Sequence, residues 1–175
     1  MPLIGALSVI VQAVTNQMTI TRDPVDLKIE QMREASVVAI DGDEGSGKTQ
    51  LAAELQKNVG GDVISIDDFL IGNGMSYTKQ FNANAFRACL KDKNARPLII
   101  EGVLLLDILE REHLTADRYI FAKCIQQGQW QYEQYRSATA NLPKSKLTRE
   151  IAEYYRRRKP FERADVLTVL RYSGK

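Results

Sequence analysis

The sequence predicts an α/β fold, a three-layer doubly wound sheet of about five parallel strands, and three observations predict it. First, short runs rich in apolar and β-branched residues recur at 37–40, 63–66, 97–105, 118–122 and 165–170. Runs of this kind are typical of strands that are buried on both faces of a parallel sheet. Second, segments with helical periodicity separate the runs, as in consecutive βαβ units. Third, a glycine-rich turn joins the first run to a helix.

The predicted helices are read from the spacing of apolar residues and from stop signals. After the glycine-rich turn, Leu51, Leu55 and Val59 recur at intervals of four, and Gly60-Gly61 ends the pattern. Residues 81–90 form the next candidate, with Asn82 or Asn84 as its N-cap. Further helices are predicted over 25–34, 126–139 and 148–159.

Composition limits the classes of protein to consider. A chain of 175 residues with 44% hydrophobic residues has the size of one domain with a substantial core. Cys89 and Cys124 form no CxxC pair, and His113 is the one histidine, which argues against a disulfide scaffold, a zinc site or a Ser-His-Asp triad. A net charge of +2 gives no reason to expect a nucleic acid partner.

The N-terminal region is predicted to be an extension, residues 1–36, packed on a core domain of residues 37–175. Its apolar stretch at 6–14 is too short to span a bilayer, and Met1-Pro2-Leu3 lacks the basic region of a signal peptide. We therefore expect a cytoplasmic protein without a membrane partner. Whether it forms a homo-oligomer is left open.

The glycine-rich turn satisfies the phosphate-loop pattern G-x-x-x-x-G-K-[ST], and it lies between a predicted strand and a predicted helix, as that motif requires. Its residues are Gly42, Asp43, Glu44, Gly45, Ser46, Gly47, Lys48 and Thr49. Backbone N–H groups of such a loop and the helix N-terminus bind phosphate. Lys48 is predicted to neutralise the terminal phosphates and Thr49 to ligate Mg²⁺. The carboxylates of Asp43 and Glu44 are expected to point to water, because these positions need only supply backbone.

Acidic residues follow the next two predicted strands. Asp67 and Asp68 come after the run at 63–66, and Glu101 follows an apolar run with Gly102 beside it. The carboxyl ends of parallel strands face the ligand crevice. An Asp after the run at 63–66 could therefore accept a proton from an acceptor hydroxyl. Glu101 could bind Mg²⁺, usually through water, or orient that hydroxyl. A turn-capping role for the Asp pair and a structural role for Glu101 are the alternatives. Gly102 is expected to let the backbone approach a ligand closely.

Together, the phosphate loop and the segments 65–69 (SIDDF) and 99–103 (IIEGV) resemble the uridine kinase family, which includes nicotinamide riboside kinase, pantothenate kinase and phosphoribulokinase. The resemblance covers roughly residues 37–172. It implies strand order 2-3-1-4-5, ATP and Mg²⁺ as cofactors, and transfer of phosphate to the hydroxyl of a small molecule. It further implies Asp67 as general base, also within reach of the metal, and Glu101 on the magnesium side, with Asp68 as a second candidate base.

The sequence also departs from that family. Leu70 stands where the family commonly has Tyr or Phe, and the segment 71–84 matches no acceptor-binding pattern. The loop's Asp-Glu-Gly looks more like thymidylate kinase, but the Asp-Arg signature of that family is missing. The identity of the acceptor is therefore open.

Residues 124–164 lie in the position of a lid that closes over phosphates. Basic residues concentrate in it: eight basic and three acidic residues lie within 144–163. Arg156 is the predicted phosphate contact, and the alternative is a solvated helix face on which Glu150 and Glu153 pair with the arginines. An aromatic group, Trp130, Tyr132 and Tyr135, is interpreted as helix packing rather than as a base-stacking platform.

The sequence thus predicts an ATP- and Mg²⁺-dependent kinase that phosphorylates a hydroxyl of a nucleoside-like or related metabolite. Two alternatives stay open, namely a nucleotide-binding module without phosphotransfer and a nucleoside monophosphate kinase. A guanine-specific switch is disfavoured, because no Asn-Lys-x-Asp segment follows a late strand. ATP and GTP are not distinguished.

Overall fold

The computed structural model describes residues 18–22, 27–72, 76–133 and 146–174. One sheet of seven strands lies at its centre. The strands are β1 Met18–Arg22, β2 Val37–Gly42, β3 Asp62–Ser65, β4 Leu98–Glu101, β5 Arg118–Gln126, β6 Gln129–Trp130 and β7 Val166–Gly174.

The strand order confirms the predicted fold. Along the sheet the strands run β1-β7-β5-β2-β4-β3, and β6 pairs with β5. The five central strands are parallel and lie in the order β3-β4-β2-β5-β7. When β2 is numbered 1 and the other four follow in chain order, this is the predicted order 2-3-1-4-5. The N-terminal β1 adds an antiparallel strand at the outer edge of β7, with Met18 opposite Gly174. Strand β1, which lies within the predicted extension 1–36, is therefore part of the sheet itself.

Helices cover both faces of the sheet, as right-handed crossovers between parallel strands require. They are α1 Ile29–Glu34, α2 Lys48–Val59, α3 Tyr77–Gln80, α4 Ala83–Asp92, α5 Leu105–Arg111, α6 Lys146–Arg158 and α7 Pro160–Arg163, and a 3-10 turn spans Ile66–Phe69. On one face, α1 and α2 cover the sheet with Met32, Leu51 and Leu55. On the other, α4, α5 and α6 form the larger part of the core. No described helix is long and apolar enough to cross a membrane.

Several predicted boundaries hold and others do not. Asn82 caps α4 by accepting a hydrogen bond from the amide of Ala85 at 3.1 Å, and Gly60 follows the last residue of α2. The helix predicted over 126–139 is wrong at its start, because β5 continues to Gln126 and a turn with positive φ at Gln127 and Gly128 leads into β6. Residues 131–133 are helical, and 134–139 lie outside the described residues.

The run at 97–105 was predicted to be one strand, but β4 ends at Glu101. Gly102 and Val103 turn the chain, and Leu105 already begins α5. An apolar run cannot by itself show where a buried strand gives way to a buried helix, because both bury the same residue types. The early end of β4 matters for the site, because it leaves Glu101 at the tip of its strand.

Candidate functional site

The phosphate loop lies between β2 and α2, where the sequence placed it. Gly42 has a φ of 149°, and a Cβ at this position would lie 2.0 Å from the carbonyl oxygen of Ala122 in β5. Gly47 precedes α2 with a φ of 73°, in the left-handed region that glycine tolerates. Gly42 lets the end of β2 lie directly against β5, and Gly47 lets the chain turn into α2. The loop therefore presents its backbone and the N-terminus of α2 at the carboxyl edge of the sheet.

Lys48 lies at the mouth of this loop with little exposure, 9% of its surface. Its Nζ donates hydrogen bonds to the carbonyl oxygens of Asp43 at 2.7 Å and Gly42 at 3.4 Å. Burial lowers the pKa of Lys48, while the nearby carboxylates of Asp41 and Glu101 act in the opposite direction. A cation in this setting interacts strongly with an anion that enters the loop, because water screens it poorly.

Thr49 and Glu101 meet across the gap between α2 and β4. The Thr49 hydroxyl donates to Oε1 of Glu101 at 3.1 Å, and Glu101 is 1% exposed. A hydroxyl and a carboxylate oxygen this close fit Mg²⁺, which prefers oxygen ligands and commonly takes few from the protein and the rest from phosphate and water. Among the described residues no group of three or more His, Cys, Asp or Glu could hold a metal alone. The donor set suits a metal that arrives with a nucleotide.

One cavity of about 450 Å³ brings the predicted residues together. Its lining includes Gly45, Gly47, Lys48 and Thr49 of the loop and the two acids Asp67 and Glu101. Glu44 also lines it and is exposed, as expected. Ser46 is buried, and its hydroxyl has no hydrogen-bond partner among the described residues. The geometry places the loop opposite acids from two neighbouring strand ends.

Asp67 reaches the cavity because of the turn that follows β3. Its Oδ1 accepts a hydrogen bond from the Tyr77 hydroxyl at 2.5 Å. Asp68, the second candidate base, is exposed and is not among the residues that line the cavity. Of the two adjacent acids, the structure thus brings Asp67 to the phosphate loop.

Close packing inside the protein explains why residue 102 is a glycine. A Cβ on Gly102 would lie 2.8 Å from the Cβ of Ile66 and 3.0 Å from its Cγ1. The close approach seen in the structure is to a core side chain that directly precedes Asp67, and it accounts for the glycine without a ligand. Gly102 lets the turn that carries Asp67 lie against the end of β4.

The expectation that Asp43 points to water is wrong. Asp43 is fully buried, and its Oδ2 accepts hydrogen bonds from the Cys124 amide and from Nε1 of Trp130, both at 2.7 Å. Its Oδ1 accepts from the Tyr155 hydroxyl at 2.6 Å. Burial raises the pKa of Asp43, and these donors oppose the rise. A carboxylate so supplied with donors belongs to the framework of the loop and does not lie beside the phosphates.

Asp41, the acid that precedes Gly42 in β2, was not singled out from the sequence. It is fully buried, its Oδ2 accepts from the hydroxyls of Tyr119 at 2.7 Å and of Tyr154, and its Oδ1 accepts from the Gly42 amide at 2.7 Å. Burial raises the pKa of Asp41 to about 6. The sequence does indicate that Asp41 needs partners, because it is a carboxylate at the end of an apolar strand. It does not indicate which residues those partners are.

The structure does not bring Arg156 into the cavity. Its side chain is 73% exposed and pairs with Glu153 at 2.8 Å, three residues earlier on α6. Arg157 and Arg158 pair instead with Asp107 of α5. The alternative considered above therefore holds for Arg156 alone, because Glu150 accepts from the Tyr77 amide and the other two arginines connect α6 to α5. The predicted phosphate contact of Arg156 has no support in this arrangement.

The aromatic group forms part of the core, as interpreted. Trp130 lies 6.3 Å from Tyr155 and 5.0 Å from Phe161 between ring centroids, and Tyr132 lies 4.8 Å from Tyr155. These separations suit aromatic packing. Tyr135 lies outside the described residues.

Comparison with known proteins adds a distant structural likeness. No family model matches the chain. None of the curated proteins matches it either. Among solved structures, the chain is similar to one described as a possible uridine kinase from Bacillus stearothermophilus, with 20% identity over 75% of this chain and 86% of that chain and a TM-score of 0.45. At that distance the activity in the description belongs to the neighbour, and the case for this chain rests on its own residues.

Proposed function

We propose that the protein is a kinase that transfers the terminal phosphoryl group of ATP, with Mg²⁺, to a hydroxyl of a small molecule, nucleoside-like or related. One observation carries the proposal: the phosphate loop, Asp67 and Glu101 line the same cavity. A loop of this kind serves nucleotide binding in general. An acid that faces the loop across a cavity can accept the proton of an acceptor hydroxyl, which transfer needs and nucleotide binding alone does not.

In the proposed reaction the oxygen of the acceptor hydroxyl attacks the γ-phosphorus, and the bond to the oxygen that bridges to the β-phosphorus breaks, which releases ADP. Asp67 accepts the proton of the hydroxyl as the new bond forms. The loop amides and Lys48 hold the phosphates and stabilise the negative charge on them. When bound at Thr49 and Glu101, Mg²⁺ would neutralise phosphate charge.

The two flanks of the loop suggest how a substrate pair would lie. Asp67 and Tyr77 line the cavity on the side of β3. Leu170 and Tyr172 line it on the side of β7, and the Tyr172 hydroxyl donates to the carbonyl oxygen of Gly45 at 2.7 Å. If the γ-phosphate points to Asp67, the nucleoside end points toward β7. The proposal therefore assigns the base and ribose of the donor to Leu170 and Tyr172, and the acceptor to the side of Tyr77.

The proposal is tested by transfer assays with radiolabelled ATP, Mg²⁺ and a panel of nucleosides, vitamins, sugars and nucleoside monophosphates. Acceptors for the assay are selected by the increase in melting temperature that each causes in the presence of a non-hydrolysable ATP analogue, because a cognate acceptor stabilises the folded state by mass action. We expect label to appear on an acceptor other than a nucleoside monophosphate.

Two other outcomes would overturn the proposal in different ways. Tight ATP binding without label on any acceptor would favour a nucleotide-binding module. Preference for a nucleoside monophosphate over every free nucleoside would favour a nucleoside monophosphate kinase. The Lys48→Ala variant is the control for nucleotide binding, and it should lose both ATP affinity and transfer.

A further inference from the structure

Tyr77 makes a contact with Asp67 that core packing alone does not require. It belongs to the hydrophobic core and is 8% exposed, yet its hydroxyl reaches the cavity and donates to Oδ1 of Asp67 at 2.5 Å. A buried ring leaves its hydroxyl little freedom to move. The contact therefore restrains the orientation of the Asp67 carboxylate.

The backbone of Tyr77 is held by a different element. Its amide, the first of α3, donates to Oε2 of Glu150 in α6 at 2.7 Å. The four N–H groups at the start of a helix have no partner within it, so a carboxylate from another helix both satisfies this amide and fixes the place of α3. Tyr77 is thus attached to α6 through its backbone and to Asp67 through its side chain.

Helix α6 is in turn attached to the phosphate loop. Tyr154 and Tyr155, both buried, donate from their hydroxyls to Asp41 and Asp43, which flank Gly42. Tyr154 also accepts a hydrogen bond from the amide of Leu106, at 3.1 Å, at the start of α5. One helix therefore contacts the loop that would hold the donor and, through Glu150, the tyrosine that holds Asp67.

We propose that Tyr77 is a positioning residue for Asp67 and that α6 sets the distance between this acid and the phosphate loop. The inference rests on the proposed function. A transfer reaction needs the acceptor hydroxyl and the γ-phosphorus within about 3.5 Å and in line. A rigid connection between the proposed base and the loop meets this need. Ile66 and Phe69 pack the turn onto the core, but Asp67 itself is exposed, so the contact from Tyr77 is what restrains its carboxylate.

The test is a double-mutant cycle on the full chain, measured as steady-state transfer from MgATP to the acceptor identified in the panel. Tyr77→Phe removes the hydroxyl and keeps the ring, and we expect kcat to fall about tenfold, as for the loss of one hydrogen bond to a charged group, while KM for ATP stays the same. In an Asp67→Asn background the same substitution should have no further effect, because Tyr77 acts through Asp67. Tyr132→Phe, in the aromatic core away from the cavity, is the matched control and should keep wild-type turnover.

A second pair of variants tests the connection through α6. Glu150→Ala removes the acceptor for the Tyr77 amide and should lower kcat in the same direction as Tyr77→Phe, whereas Glu150→Gln keeps an acceptor oxygen and should restore most of it. Wild-type kcat in Tyr77→Phe, or an equal loss in the presence and absence of Asp67, would overturn the inference and leave the proposed function standing. Full turnover in Asp67→Asn itself would overturn the proposed base instead.

Discussion

The two pairs of acids around the phosphate loop differ in what surrounds them. Asp41 and Asp43 are fully buried and accept hydrogen bonds from amides, an indole and tyrosine hydroxyls. Asp67 and Glu101 line the cavity and lie opposite the loop. The first pair has the surroundings of a structural acid, and the second lines the cavity in which we propose that transfer takes place. Proximity to a phosphate loop therefore does not by itself select a candidate catalytic carboxylate, and access to the cavity separates the two pairs.

The largest difference between the pairs should be in folding stability. Asp43→Ala removes the acceptor for three donors, two of them from side chains far along the chain. We expect the free energy of unfolding to fall by about 3 kcal/mol, since each buried donor without a partner costs roughly 1 to 3 kcal/mol. Urea denaturation at neutral pH measures it.

Asp67→Ala is the matched comparison, because water in the cavity can replace the lost partner of Tyr77. Its free energy of unfolding should change by less than about 0.5 kcal/mol, as for most exposed positions. Equal destabilisation by the two substitutions would remove the distinction between the pairs.

The pH dependence of stability sharpens the comparison at Asp41. Its pKa is raised to about 6 in the folded protein from an ordinary 3.8, so the unfolded chain releases this proton at a lower pH than the folded protein does. The contribution of Asp41 to stability is thus complete below pH 3.8 and is lost as pH rises through about 6. A shift of about two pKa units corresponds to about 3 kcal/mol.

We expect the free energy of unfolding of the wild type, relative to Asp41→Asn, to fall by about this amount between acid and neutral pH. Parallel stability curves for the two proteins over that range would contradict the raised pKa. The comparison cancels the other titrating groups, which both proteins share.

For the second pair of acids, a substitution at Glu101 tests the proposed role in Mg²⁺ binding. Glu101→Gln should lower the affinity for ATP about tenfold to a hundredfold when Mg²⁺ is present, the range found when a group that supports a metal site is removed. With Mg²⁺ removed by a chelator, the variant and the wild type should bind ATP alike. Isothermal titration in both conditions measures this, and a loss of equal size without Mg²⁺ would place the role of Glu101 elsewhere.

The smallest expected effect is on ATP binding and concerns Tyr172, on the β7 side of the phosphate loop. Tyr172→Ala should weaken binding of ATP about tenfold through loss of the ring as a contact surface for the nucleoside. Binding of inorganic tripolyphosphate, which has no nucleoside, should not change. Tyr172→Phe separates the ring from its hydrogen bond to Gly45, and it should bind ATP like the wild type. Equal loss for ATP and tripolyphosphate would mean that Tyr172 acts on the loop.

Much of the fold could be predicted because its signals are local. A phosphate-loop pattern follows one apolar strand, and acids follow two later runs. Once the strands are parallel, these signals place residues 42–49, Asp67 and Glu101 at one sheet edge. Burial of Asp43 could not be predicted in this way. Its partners Trp130 and Tyr155 lie 87 and 112 residues away, and only the tertiary structure brings them to the loop.

The choice of Arg156 met a related limit of the sequence. Consecutive arginines on a helix point in several directions, so the sequence cannot tell which of them faces a ligand and which faces an acid nearby. In the structure an acid from α5, Asp107, takes Arg157 and Arg158, and Arg156 pairs within its own helix.

The central claim, that Asp67 is the acid that serves phosphoryl transfer, is tested most directly by single-turnover transfer from MgATP in Asp67→Asn and Asp68→Asn. These variants differ in one of two adjacent carboxylates, of which only Asp67 is among the cavity's lining residues. We predict that Asp67→Asn lowers the rate about 100-fold to 10,000-fold with ATP affinity retained, the range for loss of a general base, and that Asp68→Asn keeps the wild-type rate. Full turnover in Asp67→Asn, or its loss in Asp68→Asn alone, would contradict the claim.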